Sequence, residues 1–133
     1  LRVERDLDAL ERSRRTLSEY LEARGVEPRA LYRCELVFEE LVANAIRHGV
    51  PGVAGPRPVD VGVAVSADAV ELVFEDDDAP FDPTAAPEPP RPEAIDAAPI
   101  GGLGIAMVRR SALRLEYARR DGRNRVTLAI ARG

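Results

Sequence analysis

Glu40, Asn44 and His48 stand at i, i+4 and i+8 in the run Glu39-Glu40-Leu41-Val42-Ala43-Asn44-Ala45-Ile46-Arg47-His48-Gly49. On an α-helix that spacing puts all three on one face. A carboxylate accepts a proton or binds a hard cation, and a carboxamide oxygen is a neutral ligand for the same cation. The pair is therefore equipped to hold a metal and orient a nucleophile. The helix itself is predicted by Leu31, Cys34, Val37, Phe38, Leu41, Val42 and Ala45, which recur at spacings of three and four as one apolar stripe. The Glu40 row drifts by about 40° per step along the flank of that stripe, which places its polar groups at the rim of the core. Gly49 is expected to end the helix in the left-handed conformation, with Pro51 just beyond. His48, at the helix end, is assigned a structural role against the last carbonyls. The same spacing arises by chance in ordinary helices, so this row acquires meaning only beside the residues further along the chain.

Two later stretches have chemistry of their own. Glu75-Asp76-Asp77-Asp78-Ala79-Pro80-Phe81-Asp82-Pro83 lies where a buried strand gives way to a loop, the kind of junction at which sites are built. Gly101-Gly102-Leu103-Gly104 has the look of a phosphate cradle, since glycines let backbone N–H groups approach an anion and the next helix offers its positive N-terminal end. Each alone has a plain structural reading, an acidic turn and a tight turn respectively.

The elements that must position these groups are predicted from periodicity. A first helix is expected from about Asp6, its N-cap, to Arg24, with Leu7, Leu10, Leu17, Tyr20 and Leu21 as its apolar face and Gly25 as its end. The second runs from near Pro28 to His48. Leu1 to Val3 is the stub of a strand. Val59, Val61, Val63 and Val65, then Val70, Leu72 and Phe74, alternate with other residues on either side of a Ser66–Ala69 turn, which predicts an antiparallel pair. From Asp76 to Gly102 seven prolines forbid a ladder or a long helix, and a mobile lid is expected at about 82–100. A third helix begins at the glycines and runs to about Ala112. Leu113, Leu115 and Tyr117 form a strand, Asp121-Gly122-Arg123-Asn124 a hairpin turn, and Val126, Leu128 and Ile130 the last strand. This order predicts a single domain over 1–133, an α+β two-layer sandwich with a mixed, mostly antiparallel sheet and helices on one face.

The chain has 133 residues, 19 Lys and Arg against 23 Asp and Glu, and a formal net charge of -4. That balance argues against a general nucleic-acid or anionic-membrane binder. No apolar run approaches the roughly 20 residues of a membrane span, and the single Cys34 lies on an apolar helix face, so a buried thiol and a reducing cytoplasm are expected.

Taken in order, Glu-x-x-x-Asn-Ala on a helix, Asp76 at a strand end leading to Phe81-Asp82-Pro83, a long loop, and Gly102-Leu103-Gly104 at a helix start resemble the GHKL, or Bergerat-fold, superfamily of gyrase, chaperone, histidine-kinase and mismatch-repair ATPases. Asn44-Ala45-Ile46-Arg47-His48-Gly49, Phe81-Asp82-Pro83 and Gly102-Leu103-Gly104-Ile105 are most similar to the small bacterial anti-sigma-factor serine/threonine kinases of the RsbW and SpoIIAB type. The resemblance implies Glu40 as general base, Asn44 as a ligand of Mg²⁺ beside the phosphates, and Asp76 as acceptor from the adenine amino group. It implies Gly102 and Gly104 around the phosphates, and Thr127 reaching adenine through water. It further implies ATP and Mg²⁺ as cofactors, a STAS-type antagonist as substrate, a sigma factor as second partner, and a homodimer. The alternative is a binding module that sequesters a partner and uses nucleotide as a switch or not at all. Relatives have Asp-x-Gly-x-Gly before Phe-Asp-Pro, whereas Asp78 and Pro80 occupy both glycine positions here. Either these residues crowd the base and weaken adenine recognition, or the loop is adapted around them.

Overall fold

The computed structural model describes residues 1–53, 55–85 and 102–133. Helix α1, Leu7–Ala23, starts as expected at Asp6, whose side chain accepts from the Ala9 N–H. It ends at Gly25 in the left-handed conformation (φ 70°), where the Gly25 N–H reaches the Glu22 carbonyl and the Val26 N–H the Leu21 carbonyl. Those two bonds satisfy carbonyls that the last turn leaves open. Leu10, Leu17 and Leu21 are buried, but Leu7, expected on the same face, is exposed, and Ala9 takes its place in the core. Leu7 is the first helical residue and lies beyond the edge of what α1 covers.

Helix α2, Pro28–His48, buries Cys34, Val37, Phe38 and Val42 as the stripe predicts, with Ala30 and Ala43 added. Burial, with the Glu35 carboxylate beside it, pushes the Cys34 thiol up to about 12, so it behaves as a small apolar core residue.

Five strands form one sheet in the order β1-β2-β3-β5-β4: β1 Arg2–Val3, β2 Val59–Val65, β3 Ala69–Asp76, β4 Ala112–Arg120 and β5 Arg123–Ala131. The sequence predicts a mixed, mostly antiparallel sheet, and every pairing among the described residues is antiparallel. The stub Leu1–Val3 does find a neighbour, pairing with β2 through Arg2↔Asp60 and Val3↔Val59. The β4–β5 turn is tighter than read from the sequence. Asp121 (φ 54°) and Gly122 (φ 77°) make it alone, and Arg123 and Asn124 already belong to β5. Two successive left-handed residues match the twist of a hairpin. Leu113, expected to alternate inward with Leu115 and Tyr117, is exposed. A register shift between Ala112 and Arg114 makes it the extra residue of a bulge, which breaks the alternation there.

Val59 and Val61, Val70, Leu72 and Phe74, and Val126, Leu128 and Ile130 are the alternate residues of their strands, and all join one apolar cluster with α1, α2 and Val108 of α3, Gly102–Ser111. The helices therefore cover one face, as a two-layer sandwich requires. Phe38 meets Phe74 with ring centroids 6.3 Å apart. That contact docks α2 on β3 two residues before Glu40 on one side and two before Asp76 on the other.

Candidate functional site

The site is built where the C-terminal half of α2, the end of β3 and the start of α3 converge. Glu40 and Asn44 are half-buried at the rim, as their spacing predicts, and His48 is exposed. One oxygen of Glu40, Oε1, is buried without a hydrogen-bond partner among the described residues. Burial raises the Glu40 carboxyl above its usual range, opposed by the charge of Arg47 and helped by that of Glu39. A carboxylate held this way is a stronger proton acceptor than one in water, and its open lone pairs await a donor. No hydrogen bond among the described residues engages the Asn44 side chain either. The unengaged carboxamide oxygen of Asn44 is the kind of neutral ligand a hard cation such as Mg²⁺ takes, and among the described residues there is no cluster of three His, Cys, Asp or Glu that would hold a metal by protein ligands alone.

The helix end is closed differently from expectation. Gly49 is extended (φ -61°, ψ 132°), not left-handed. His48 contacts no carbonyl among the described residues; the last turn is closed instead by the Gly49 N–H and by the Arg5 guanidinium, whose NH1 donates to the Ala45 carbonyl at 2.8 Å. Glycine is needed at 49 for proximity, because a Cβ there would collide with the Asp78 carboxylate and the Ala45 carbonyl oxygen. A Cβ at Gly52 would likewise lie 2.7 Å from the Asp77 carbonyl oxygen. The Ala79 N–H donates to the Val50 carbonyl at 2.8 Å, so the segment after α2 and the loop after β3 are laid directly on each other.

Asp78 is accommodated by the chain itself. Its carboxylate turns toward Arg5 and Gly49: Oδ1 accepts from Arg5 NH2 at 2.7 Å, and the two side chains are 7% and 13% exposed. Burial raises the Asp78 carboxyl, with the neighbouring charges of Asp76 and Asp77 adding to the effect and Arg5 opposing it. Pro80 is exposed and interrupts no ladder. The structure thus favours a loop adapted around both residues.

Asp76 lies at the strand end, paired in register with Asn124. Its Oδ1 accepts from the Asn124 amide at 2.9 Å and from the Asp78 N–H at 3.0 Å. Beyond it, Asp82 Oδ1 accepts from the Thr84 N–H and hydroxyl, and the buried Pro83 gives its carbonyl to Arg109 of α3 at 2.8 Å. Phe81-Asp82-Pro83 therefore ties the strand-end loop to the helix that carries Gly102 and Gly104 in its first turn. α3 in turn packs on α2. The lid expected at 82–100 lies outside the described residues from residue 86 onward, as does Gly101.

Thr127 does not join this group. It is out of phase with the inward residues Val126, Leu128 and Ile130, so it faces the helix-free side of the sheet, opposite Val73 and three pairs down the ladder from Asp76. Counting inward by twos from Val126 arrives at Asn124, which a sequence reading that puts residues 121–124 in a turn passes over. Arg5 and Arg109 also escape such a reading, because their partners lie far along the chain.

A two-layer sandwich with its site at one strand end, between a Glu/Asn helix and a glycine-led helix, is the arrangement of a nucleotide-binding ATPase domain. The histidine kinase-like ATPase domain family matches residues 3–130, and this chain belongs to it. It is also 33% identical over 101 residues to the serine/threonine-protein kinase BtrW of Bordetella bronchiseptica, covering 75% of this chain and 70% of that protein.

The Asp78 and Glu40 carboxylates can each be tested by substitution. Asp78→Gly strips the Arg5 guanidinium of its counter-ion and should cost on the order of 3–5 kcal/mol in urea unfolding, with no gain in nucleotide affinity. A glycine variant as stable as wild type contradicts the assignment. For Glu40, the raised native value means that the stabilising protonated form is fully present below the unfolded value and lost as pH rises through the native one. Glu40→Gln should therefore melt above wild type near about pH 8, and the gap should close toward about pH 4, where both carry a neutral group. A gap independent of pH contradicts the burial of this carboxylate.

Proposed function

We propose that this chain is an ATP- and Mg²⁺-dependent protein serine/threonine kinase that phosphorylates a small STAS-type antagonist within an anti-sigma regulatory circuit. The observation that carries the reading is Glu40 Oε1, buried and without a partner among the described residues one turn before Asn44, on a helix whose far end is joined through Arg5 to Asp78 of the strand-end loop. Membership of the histidine kinase-like ATPase family supports ATP as the nucleotide, and the name of the Bordetella relative supports protein serine/threonine kinase activity.

In this reading Asp76 accepts a hydrogen bond from the adenine amino group, while Gly102 and Gly104 lie beside the phosphates. Asn44 would hold Mg²⁺, which when bound would offset the charge of the phosphates. Glu40 takes the proton of the substrate hydroxyl as its oxygen bonds to the γ-phosphorus and the bond to the β–γ bridging oxygen breaks, leaving ADP, phosphoprotein and a protonated Glu40. Burial raises the Glu40 carboxyl, which makes its carboxylate a stronger proton acceptor than one in water. The chain's contribution is positioning and electrostatics, as phosphoryl transfer demands. The competing reading, a partner-binding module without catalysis, draws its support from Asp78 and Pro80; their accommodation at the loop removes much of that support. Among the described residues no helix is long and apolar enough to cross a membrane.

Calorimetric titration with ATP, with and without Mg²⁺, tests the proposal. Asn44→Ala should weaken Mg-nucleotide binding. Glu40→Gln should keep binding and lose phosphoryl transfer to a STAS-domain substrate by about 10²–10⁴-fold. Equal loss of binding in both variants, or no binding by wild type, contradicts it.

A further inference from the structure

Asn124 is one of only two buried polar side chains among the described residues, at 3% exposure, and it is the only neutral one. Its amide nitrogen donates to Asp76 Oδ1 at 2.9 Å, to the Ala79 carbonyl at 2.9 Å and to the Asp78 carbonyl at 3.3 Å. Its amide oxygen accepts from the Tyr117 hydroxyl at 2.5 Å, from Arg119 NH1 at 2.9 Å and from the Phe81 N–H at 3.4 Å. Arg119 NH1 reaches on to the Asp78 carbonyl at 2.9 Å. A donor aimed at a carboxylate and acceptors facing donors leave the amide one sensible orientation, which fixes what it presents to Asp76.

We infer that Asn124 is a positioning residue for base recognition: it holds the Asp76 carboxylate with Oδ1 already occupied, so that Oδ2 is left as an acceptor for a purine 6-amino group. The inference rests on the reading of Asp76 as the adenine contact.

Residues 76–81 contain no glycine, yet they bend just beyond the ladder. Their carbonyls at Asp78 and Ala79 point inward and need donors, since a buried unpaired carbonyl is costly. The two N–H groups of Asn124 are shared among Asp76 Oδ1 and the Ala79 and Asp78 carbonyls, the last of which also accepts from Arg119 NH1, so the loop backbone and the recognising carboxylate are held by the same atom. With Oδ1 engaged by Asn124 and by the Asp78 N–H, the carboxylate cannot swing without breaking both bonds. An ionised acceptor fixed in place attracts an amino group at purine position 6 and repels an oxo group there, which makes its orientation a determinant of selectivity as well as affinity. Tyr117 and Arg119, on β4, hold Asn124 from the other side.

The test compares Asn124→Thr with Asn124→Val. These side chains have the same shape and both suit a strand, but only threonine keeps a donor for Asp76. Each is titrated calorimetrically with ATP and with ITP, which carries an oxo group where adenine carries the amino group, and each is melted without nucleotide. Wild type should prefer ATP strongly. Asn124→Thr should stay within about threefold of wild type for ATP, while Asn124→Val, melting cooperatively though below the threonine variant, should bind ATP at least about tenfold more weakly and discriminate against ITP at least about tenfold less. Equal ATP affinities and equal ATP-to-ITP ratios for the two variants overturn the inference, as does a valine variant whose ATP and ITP affinities fall together. Should the valine variant fail to fold, Asn124→Thr against Asn124→Ser decides: threonine and serine both retain the hydroxyl, and a loss of ATP selectivity in both overturns the inference. A wild type that binds ATP and ITP equally or not at all contradicts the adenine reading itself, and so is told apart from a failure confined to Asn124.

Discussion

A guanidinium that is mostly buried must find acceptors for its N–H groups, and Arg5 finds them on three segments remote from one another in the chain. Nε donates to the Arg57 carbonyl at 2.7 Å, NH1 to the Ala45 carbonyl near the end of α2, and NH2 to the Asp78 carboxylate. One side chain between β1 and α1 thereby joins the helix of Glu40 and Asn44 to the loop of Asp76. Gly49 makes room for the contact, and the Ala79 N–H to Val50 carbonyl bond runs alongside it. Remove the guanidinium and the helix end loses a donor while Asp78 becomes a buried charge without a counter-ion.

Asp78 and Pro80 stand at the two positions where the sequence resemblance leads one to expect glycine, and the structure shows how a loop tolerates that. Glycine gives a backbone latitude to approach what it binds; a side chain in its place must go somewhere. Asp78 goes under Gly49 to Arg5. Pro80 sits at the exposed turn, where its missing N–H breaks no ladder. The loop exchanges conformational freedom for side-chain anchors, Asp78 to Arg5 on one flank and Asn124 to its carbonyls on the other.

Features that depend on near neighbours are legible in the sequence. The three-and-four spacing of Cys34, Val37, Phe38 and Val42 reveals the buried face of α2, and with it the rim position of Glu40 and Asn44. Alternating valines reveal β2, and Asp6 and Gly25 mark the ends of α1. Legibility stops where partners are distant or phases slip. Arg5 and Asp78 are 73 residues apart, and nothing local distinguishes Arg5 from other surface arginines. Leu113 alternates on paper but falls on a bulge. Asn124 resembles a turn residue beside Asp121 and Gly122, although a two-residue turn leaves it in the strand facing Asp76. Gly49 is recognisable as a stop but not as a point of close approach, because the atom it must admit belongs to another element.

Arg5 and Asp78 thus act as one unit that fastens the Asp76–Asp78 loop to α2. A double-mutant cycle of Arg5→Ala and Asp78→Ala, read by urea unfolding, measures that coupling directly. Each single variant should lose stability, and the double variant should lose less than their sum by on the order of 2 kcal/mol, since the second removal deletes a group already stranded by the first. Losses that add to within about 0.5 kcal/mol would contradict a coupled pair.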